Sequence, residues 1–184
     1  IEEINKNKTK PIINQILIAS TWGESSITNT VAIELIQNLI KEEKYNIIYR
    51  PHIMSFKKDY LRLNEIKNRF INNNFFEFDN NNSSNESLIN SELLITDWGS
   101  TSADFYIGLN KPVIFINTNM KIKNKFYKEI DLNAFEIDIR NKIDKPINLS
   151  DLKNINNKIA KKIYEHKTIN CREELISKYI YNFN

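Results

Sequence analysis

The chain has 184 residues, 41% of them hydrophobic and 27% charged, and a formal net charge of +3. That length supports one compact domain with a core of its own, and so slight a charge without a dense Lys/Arg stripe argues against a nucleic-acid binder. Cys171 is the only cysteine, which excludes an internal disulfide and points to a reducing compartment, and the two histidines, His52 and His166, have no Cys or His partner at metal-ligand spacing.

In chain order, Ile1 to Pro11 is rich in Lys and Asn and reads as a linker, 1–11, ahead of a single domain over 12–184. The first strand is expected at Gln15–Ala19, followed by a helix that starts near Thr28 and carries the stripe Ala32, Leu35, Ile36, Leu39, Ile40. A second strand, Asn46–Tyr49, precedes a helix with Leu63, Ile66, Phe70 and Ile71 on one face. Phe75–Phe78, Glu92–Thr96 and Pro112–Ile116 read as three further strands, with short helices at Ser84–Asn90 and Ser102–Leu109 around the fourth. From about residue 149 two more amphipathic stripes follow, Leu152, Ile155, Ile159, Ile163 and then Leu175, Ile176, Tyr179, Ile180. No apolar run approaches the roughly 18 residues a membrane span requires.

The strands are continuously apolar rather than alternating, which is the pattern of a parallel sheet covered on both faces. Alternating strands and helices of this length predict a Rossmann-like, doubly wound α/β domain. In such a fold the carboxyl ends of the strands share one edge, and ligands bind beyond it. The residues that leave the strands are therefore the candidates for function.

Behind the first strand, Thr21-Trp22-Gly23 and the hydroxyl residues after it either cap the next helix or offer N–H and hydroxyl donors to an anion. Behind the second come Arg50-Pro51-His52, where Arg50 and His52 suit phosphate oxygens unless His52 is simply a turn residue. Behind the fourth come Asp97-Trp98-Gly99-Ser100-Thr101-Ser102-Ala103-Asp104. Gly99 allows close backbone approach, and Ser100, Thr101 and Ser102 open a helix as a second anion site. Asp104 either accepts from the hydroxyls of a ribose or complements the helix dipole, and Asp97 is placed to brace the loop by accepting backbone N–H bonds. Together the three exits outline a cradle for a pyrophosphate with a ribose beside it.

This ordered set resembles the C-terminal domain of the CDP-glycerol glycerophosphotransferases, which build teichoic acids and related capsule polymers. The resemblance runs over roughly residues 12 to 145. It rests on Thr21-Trp22-Gly23, on Arg50-Pro51-His52, on Ser91-Glu92-Leu93-Leu94-Ile95-Thr96-Asp97-Trp98-Gly99-Ser100 with Asp104 behind it, and on Leu109-Asn110-Lys111-Pro112-Val113-Ile114-Phe115. The sequence departs from the pattern at Gly99, where the family commonly has Ser, and at Ile53, where it often has Pro.

The resemblance implies the C-terminal half of a GT-B fold, with the donor between two Rossmann-like domains. His52 and Ser100 would contact the donor pyrophosphate and Asp104 its ribose, with His52 acting on the transferred group. It implies no metal and no cofactor. It implies a CDP-linked polyol donor, a polymer or lipid-linked acceptor, and a catalytic base on an N-terminal domain absent from this chain, which would leave the chain inactive alone. The implied location is the cytoplasm, with Lys153, Lys158, Lys161, Lys162 and Lys167 either reaching the anionic inner membrane face or forming a solvated helix face. The basic run Asn119–Lys125 either contacts phosphates or is a plain loop. Two alternatives stay open: a UDP-sugar transferase or 2-epimerase relative of the same fold, and a non-catalytic nucleotide-binding module.

Overall fold

Five short apolar segments form one all-parallel sheet: β1 (Gln15–Ser20), β2 (Asn46–Pro51), β3 (Phe76–Phe78), β4 (Leu93–Thr96) and β5 (Val113–Phe115). The structure is a computed structural model and describes residues 15–81, 84–120, 126 and 135–168. The linker, the last amphipathic stripe, Cys171 and residues 121–125 of the basic run lie outside the described residues.

The strand order is β3-β2-β1-β4-β5. Chain progress therefore runs outward from β1 to one side, then returns to start again at β4, so β1 and β4 are neighbours that head two diverging crossovers. Their register pairs Ile16 with Leu93 and Ala19 with Thr96. This is the topological switch point at which open α/β sheets leave a crevice.

The continuous apolar runs follow from two covered faces. Ile16, Ile18, Ile47, Tyr49, Leu93, Ile95 and Ile114 face one core. It is closed by Leu35, Ile36 and Leu39 of α2 (Ala32–Ile40), Leu63, Ile66 and Phe70 of α4 (Tyr60–Phe70), and Ile155 and Ile159 of α8 (Ile155–Thr168). Leu17, Ala19, Ile48, Leu94, Val113 and Phe115 face the other, smaller core with Phe105. The remaining helices are short: α1 (Ile27–Thr30), α3 (Ser55–Lys58), α5 (Glu86–Asn90), α6 (Thr101–Ala103) and α7 (Phe135–Ile143).

Three local differences from the sequence expectations matter. β2 runs on through Arg50 and Pro51, so only His52 of that triplet leaves the strand. The helix expected over Ser102–Leu109 is instead α6 followed by a π-helical turn, Asp104–Gly108, closed by the Leu109 N–H donating to the Asp104 carbonyl at 3.1 Å. Leu152 of the first C-terminal stripe sits in a 3₁₀ turn, Leu149–Asn154, and α8 itself begins at Ile155.

The lysines of α8 lie toward solvent, and three of them reach acids: Lys162 to Asp144 at 2.6 Å, Lys167 to Glu92 at 3.5 Å and Lys161 to Glu165 at 3.7 Å. Surface pairs of this kind contribute roughly 0–1 kcal/mol. Among the described residues no helix is long and apolar enough to cross a membrane.

Candidate functional site

The first residue beyond β4 organises the switch point. Asp97 is fully buried, and its carboxylate accepts from the N–H groups of Thr21, Trp98 and Ile27, each at 2.8 Å, and from the Ser20 hydroxyl at 3.4 Å. One side chain thus ties the exit of β4 to the exit of β1 and to the first residue of α1. A buried carboxylate is tolerable only when its lone pairs are filled, and here backbone donors fill them. Behind it the polar chain continues inward. Ser20 Oγ accepts from the Thr28 N–H at 3.1 Å and the Thr28 hydroxyl at 2.9 Å, and Thr28 Oγ1 lies 2.8 Å from the Tyr49 hydroxyl. Burial pushes the Tyr49 phenol well above its ordinary range.

Gly23 turns the β1 loop at φ 96°, a conformation that strains any side-chain-bearing residue. Its carbonyl accepts from the Ser26 N–H at 2.9 Å, the Ser26 hydroxyl at 2.7 Å and the Asn29 amide at 3.0 Å. Its N–H donates to Asp59 Oδ2 at 3.1 Å, and the Asn29 amide donates to Asp59 Oδ1 at 2.8 Å. Asp59 stands just before α4, where an Asp reads as a helix cap, yet its carboxylate reaches across to the β1 loop and makes no capping bond. The sequence carries no signal for that role.

Trp22 and His52 meet at the mouth between β1 and β2, with ring centroids 6.4 Å apart at 35°. His52 is exposed, and its Nδ1 accepts from the Met54 N–H at 3.0 Å. An accepting Nδ1 places the proton of a neutral imidazole on Nε2. Arg50 takes a different course from His52. It sits opposite Ala19 in the β1–β2 register and, by strand alternation, shares the face of Ile48. Its guanidinium donates to the Ser87 hydroxyl of α5 at 2.9 Å and lies 3.9 Å from Asp79. The expectation that Arg50 leaves the strand beside His52 is corrected by the two extra residues of β2.

Gly99 lies against the β1 loop: a Cβ built on it would stand 3.5 Å from Thr96 Oγ1 and 3.6 Å from Thr21 Cγ2, both ordinary contacts. Its carbonyl accepts from the Ser102 N–H at 3.3 Å and the Ser102 hydroxyl at 2.9 Å. Ser102 is buried and its hydroxyl serves the turn, whereas Ser100 is exposed and Thr101 half-buried on the outer side. Asp104 is exposed and opens the π-helical turn.

One residue of this cluster comes from a helix the sequence reading does not contain. Arg140, on α7, is 3% exposed. It donates to the main-chain carbonyls of Asp97 and Ile116, the latter at 3.3 Å, and its guanidinium lies 3.9 Å from the Trp98 ring centroid and 4.9 Å from that of Phe115. Burial lowers its pKa to about 10, against the opposing pull of the Asp97 charge. The Trp98 indole N–H donates to the Thr118 carbonyl at 2.9 Å. Among the described residues no group of three His, Cys, Asp or Glu side chains is placed to hold a metal ion.

A parallel sheet of this order, with loops converging where β1 meets β4, makes the molecule a Rossmann-like α/β domain. The chain belongs to the CDP-glycerol:poly(glycerophosphate) glycerophosphotransferase family, whose model matches residues 2–171. No curated protein matches the chain. Among solved structures, the wall teichoic acid polymerase TagF is 22% identical, with 99% of this chain and 45% of that chain covered at a TM-score of 0.47. A Listeria monocytogenes protein described as a UDP-N-acetylglucosamine 2-epimerase is 14% identical, with 62% of this chain and 32% of that chain covered at a TM-score of 0.44. The chain therefore spans less than half the length of either.

Proposed function

We propose that the crevice at the β1–β4 switch point binds a CDP-linked polyol of the CDP-glycerol type. The chain is the C-terminal, donor-binding half of a GT-B transferase that adds phospho-polyol units to a cell-surface polymer. The observation that carries this reading is the family match over residues 2–171. The geometry is compatible with it. His52 stands beside Trp22 at the mouth between β1 and β2, and Ser100 and Thr101 lie on a turn locked to the Thr21–Gly23 loop through Asp97.

In the reaction an acceptor hydroxyl oxygen attacks the phosphorus that bears the polyol. A P–O bond forms to the acceptor, the bond to the bridging oxygen breaks, and CMP leaves with that electron pair. Negative charge grows on the phosphate oxygens and the leaving group, where fixed N–H and O–H donors stabilise it best. His52 Nε2 and the Ser100–Thr101 turn supply those donors, and Asp104 accepts from the ribose hydroxyls. The acceptor's proton goes to a base on the N-terminal half. The protein works at the cytoplasmic face of the membrane, where its acceptor grows.

Calorimetric titration with CDP-glycerol, CDP, UDP and UDP-N-acetylglucosamine tests the reading, with His52→Ala and Asp104→Ala beside the parent. Cytidine ligands are expected to bind in preference, and each substitution to weaken them about tenfold, the loss of one charge-assisted contact. Preference for uridine ligands would move the assignment to a nucleotide-sugar enzyme. Equal binding by parent and variants would remove both residues from the site.

A further inference from the structure

Arg140 is buried at the strand-exit edge and, among the described residues, makes no ion pair with a carboxylate. Guanidinium groups this enclosed usually meet a carboxylate in a two-bond fork. Arg140 instead spends its donors on two backbone carbonyls, those of Asp97 just after β4 and Ile116 just after β5. Its planar face covers Trp98 at 3.9 Å, and the far edge of that indole is held by Thr118. Arg140 thus bridges two adjacent strand exits and backs the aromatic residue that begins the Trp98–Ser102 turn.

We propose that Arg140 is a positioning residue for the crevice, one that fixes the Asp97–Ser102 turn in its ligand-ready shape before any ligand arrives. Three features carry this. The contact is to the main chain of the turn, so it sets backbone position rather than a side-chain rotamer. The group comes from α7, which follows β5 in the chain, and reaches back to the exit of β4. The bonded carbonyls lie just beyond two neighbouring strands, so the guanidinium fork spaces the exits of β4 and β5 from each other. A lysine ammonium has neither the planar fork nor the stacking face to do the same.

The inference rests on the functional reading only for the identity of the ligand, and the experiment separates the two. Arg140→Lys and Arg140→Met are compared with Ile159→Val, which trims the distant α8 core and serves as the control for general destabilisation. Amide hydrogen exchange needs no ligand. Both Arg140 variants are expected to raise exchange at Thr21, Trp98 and Ser102 by at least about tenfold, with the β1 and β2 core amides unchanged and Ile159→Val leaving the turn protected. The emission of Trp98, now without its stacked cation, shifts in the same variants. CDP titration is the second arm: Arg140→Lys should weaken CDP about tenfold while Ile159→Val holds parent affinity. Turn amides as protected in Arg140→Lys as in the parent would overturn the proposal, and so would CDP affinity equal to that of Ile159→Val. If the parent binds no cytidine ligand, the functional reading fails, and the exchange data alone decide the role of Arg140.

Discussion

Asp97 and Arg140 grip one peptide unit from opposite ends. The carbonyl of the Asp97–Trp98 peptide accepts from Arg140, and its N–H donates to the carboxylate of Asp97 at 2.8 Å. The same carboxylate reaches the N–H groups of Thr21 and Ile27, so the grip extends into the β1 loop. A buried anion and a buried cation thus hold the switch point together through the backbone rather than by touching each other. Each is costly to bury alone, and removing either leaves the other poorly compensated.

Asp97→Asn tests that arrangement. The amide keeps one acceptor oxygen but turns an NH₂ group toward backbone donors that now lack a partner. A loss of about 3 kcal/mol in unfolding free energy is expected from urea denaturation at neutral pH. A loss below about 1 kcal/mol would mean that the loops are held by other contacts.

The β1 loop depends on Gly23 and Asp59 together. Gly23→Ala forces a Cβ into the positive-φ region and should cost about 1–2 kcal/mol. Asp59→Ala removes the acceptor of the Gly23 N–H and one of the two acceptors of the Asn29 amide, and should cost about 1 kcal/mol while weakening CDP about tenfold. Because the two act on one loop, the double variant should lose less than the sum, which a double-mutant cycle by denaturation measures directly.

Gly99→Ser should be tolerated. The added Cβ meets only ordinary contacts with Thr96 and Thr21, and the backbone there is not in the positive-φ region. Stability is expected to stay within about 0.5 kcal/mol of the parent. The new hydroxyl restores the residue common in the resembling family, and CDP-glycerol affinity should hold or improve. A thermal melt and a titration on the same sample check both.

His166 predicts a pH dependence. Burial lowers its pKa below the ordinary 6.5, the Lys162 charge lowers it further, and a backbone hydrogen bond with Asn110 opposes both. The folded state thus binds a proton less readily than the unfolded chain. Stability from the neutral ring is complete above pH 6.5 and is lost as pH falls through 6.5 toward the lower folded-state value. Melting temperature followed between about pH 5 and 8 should decline on the acid side, and His166→Gln should flatten that part of the curve.

The parallel, doubly covered character of the sheet was legible in the sequence because such strands must be apolar on both faces. Runs such as Gln15–Ala19 and Glu92–Thr96 have no other use in a chain of this composition. The right-handed crossover then places Thr21, His52 and Asp97 at one edge. The amphipathic stripes of α2, α4 and α8 were equally direct, since a helix that packs on a sheet must present its apolar residues at 3.6-residue spacing.

The rest was decided by contacts between segments far apart in the chain, which leave no local mark. Arg50 stays within β2 because the strand's end depends on pairing with β1 through Ser20–Pro51, a tertiary fact. The π-helical turn at Asp104 leads into Leu109, which packs against the second core, a contact with residues distant in the chain. Asp59 and Arg140 carry no local signal of their roles, and only packing turns them toward Gly23 and Asp97. The sequence by itself determined which strand exits could carry function, because hydrophobic burial is written residue by residue. The tertiary structure alone decided which polar side chains hold those exits in place, because a buried carboxylate or guanidinium takes whatever backbone partners the fold brings to it.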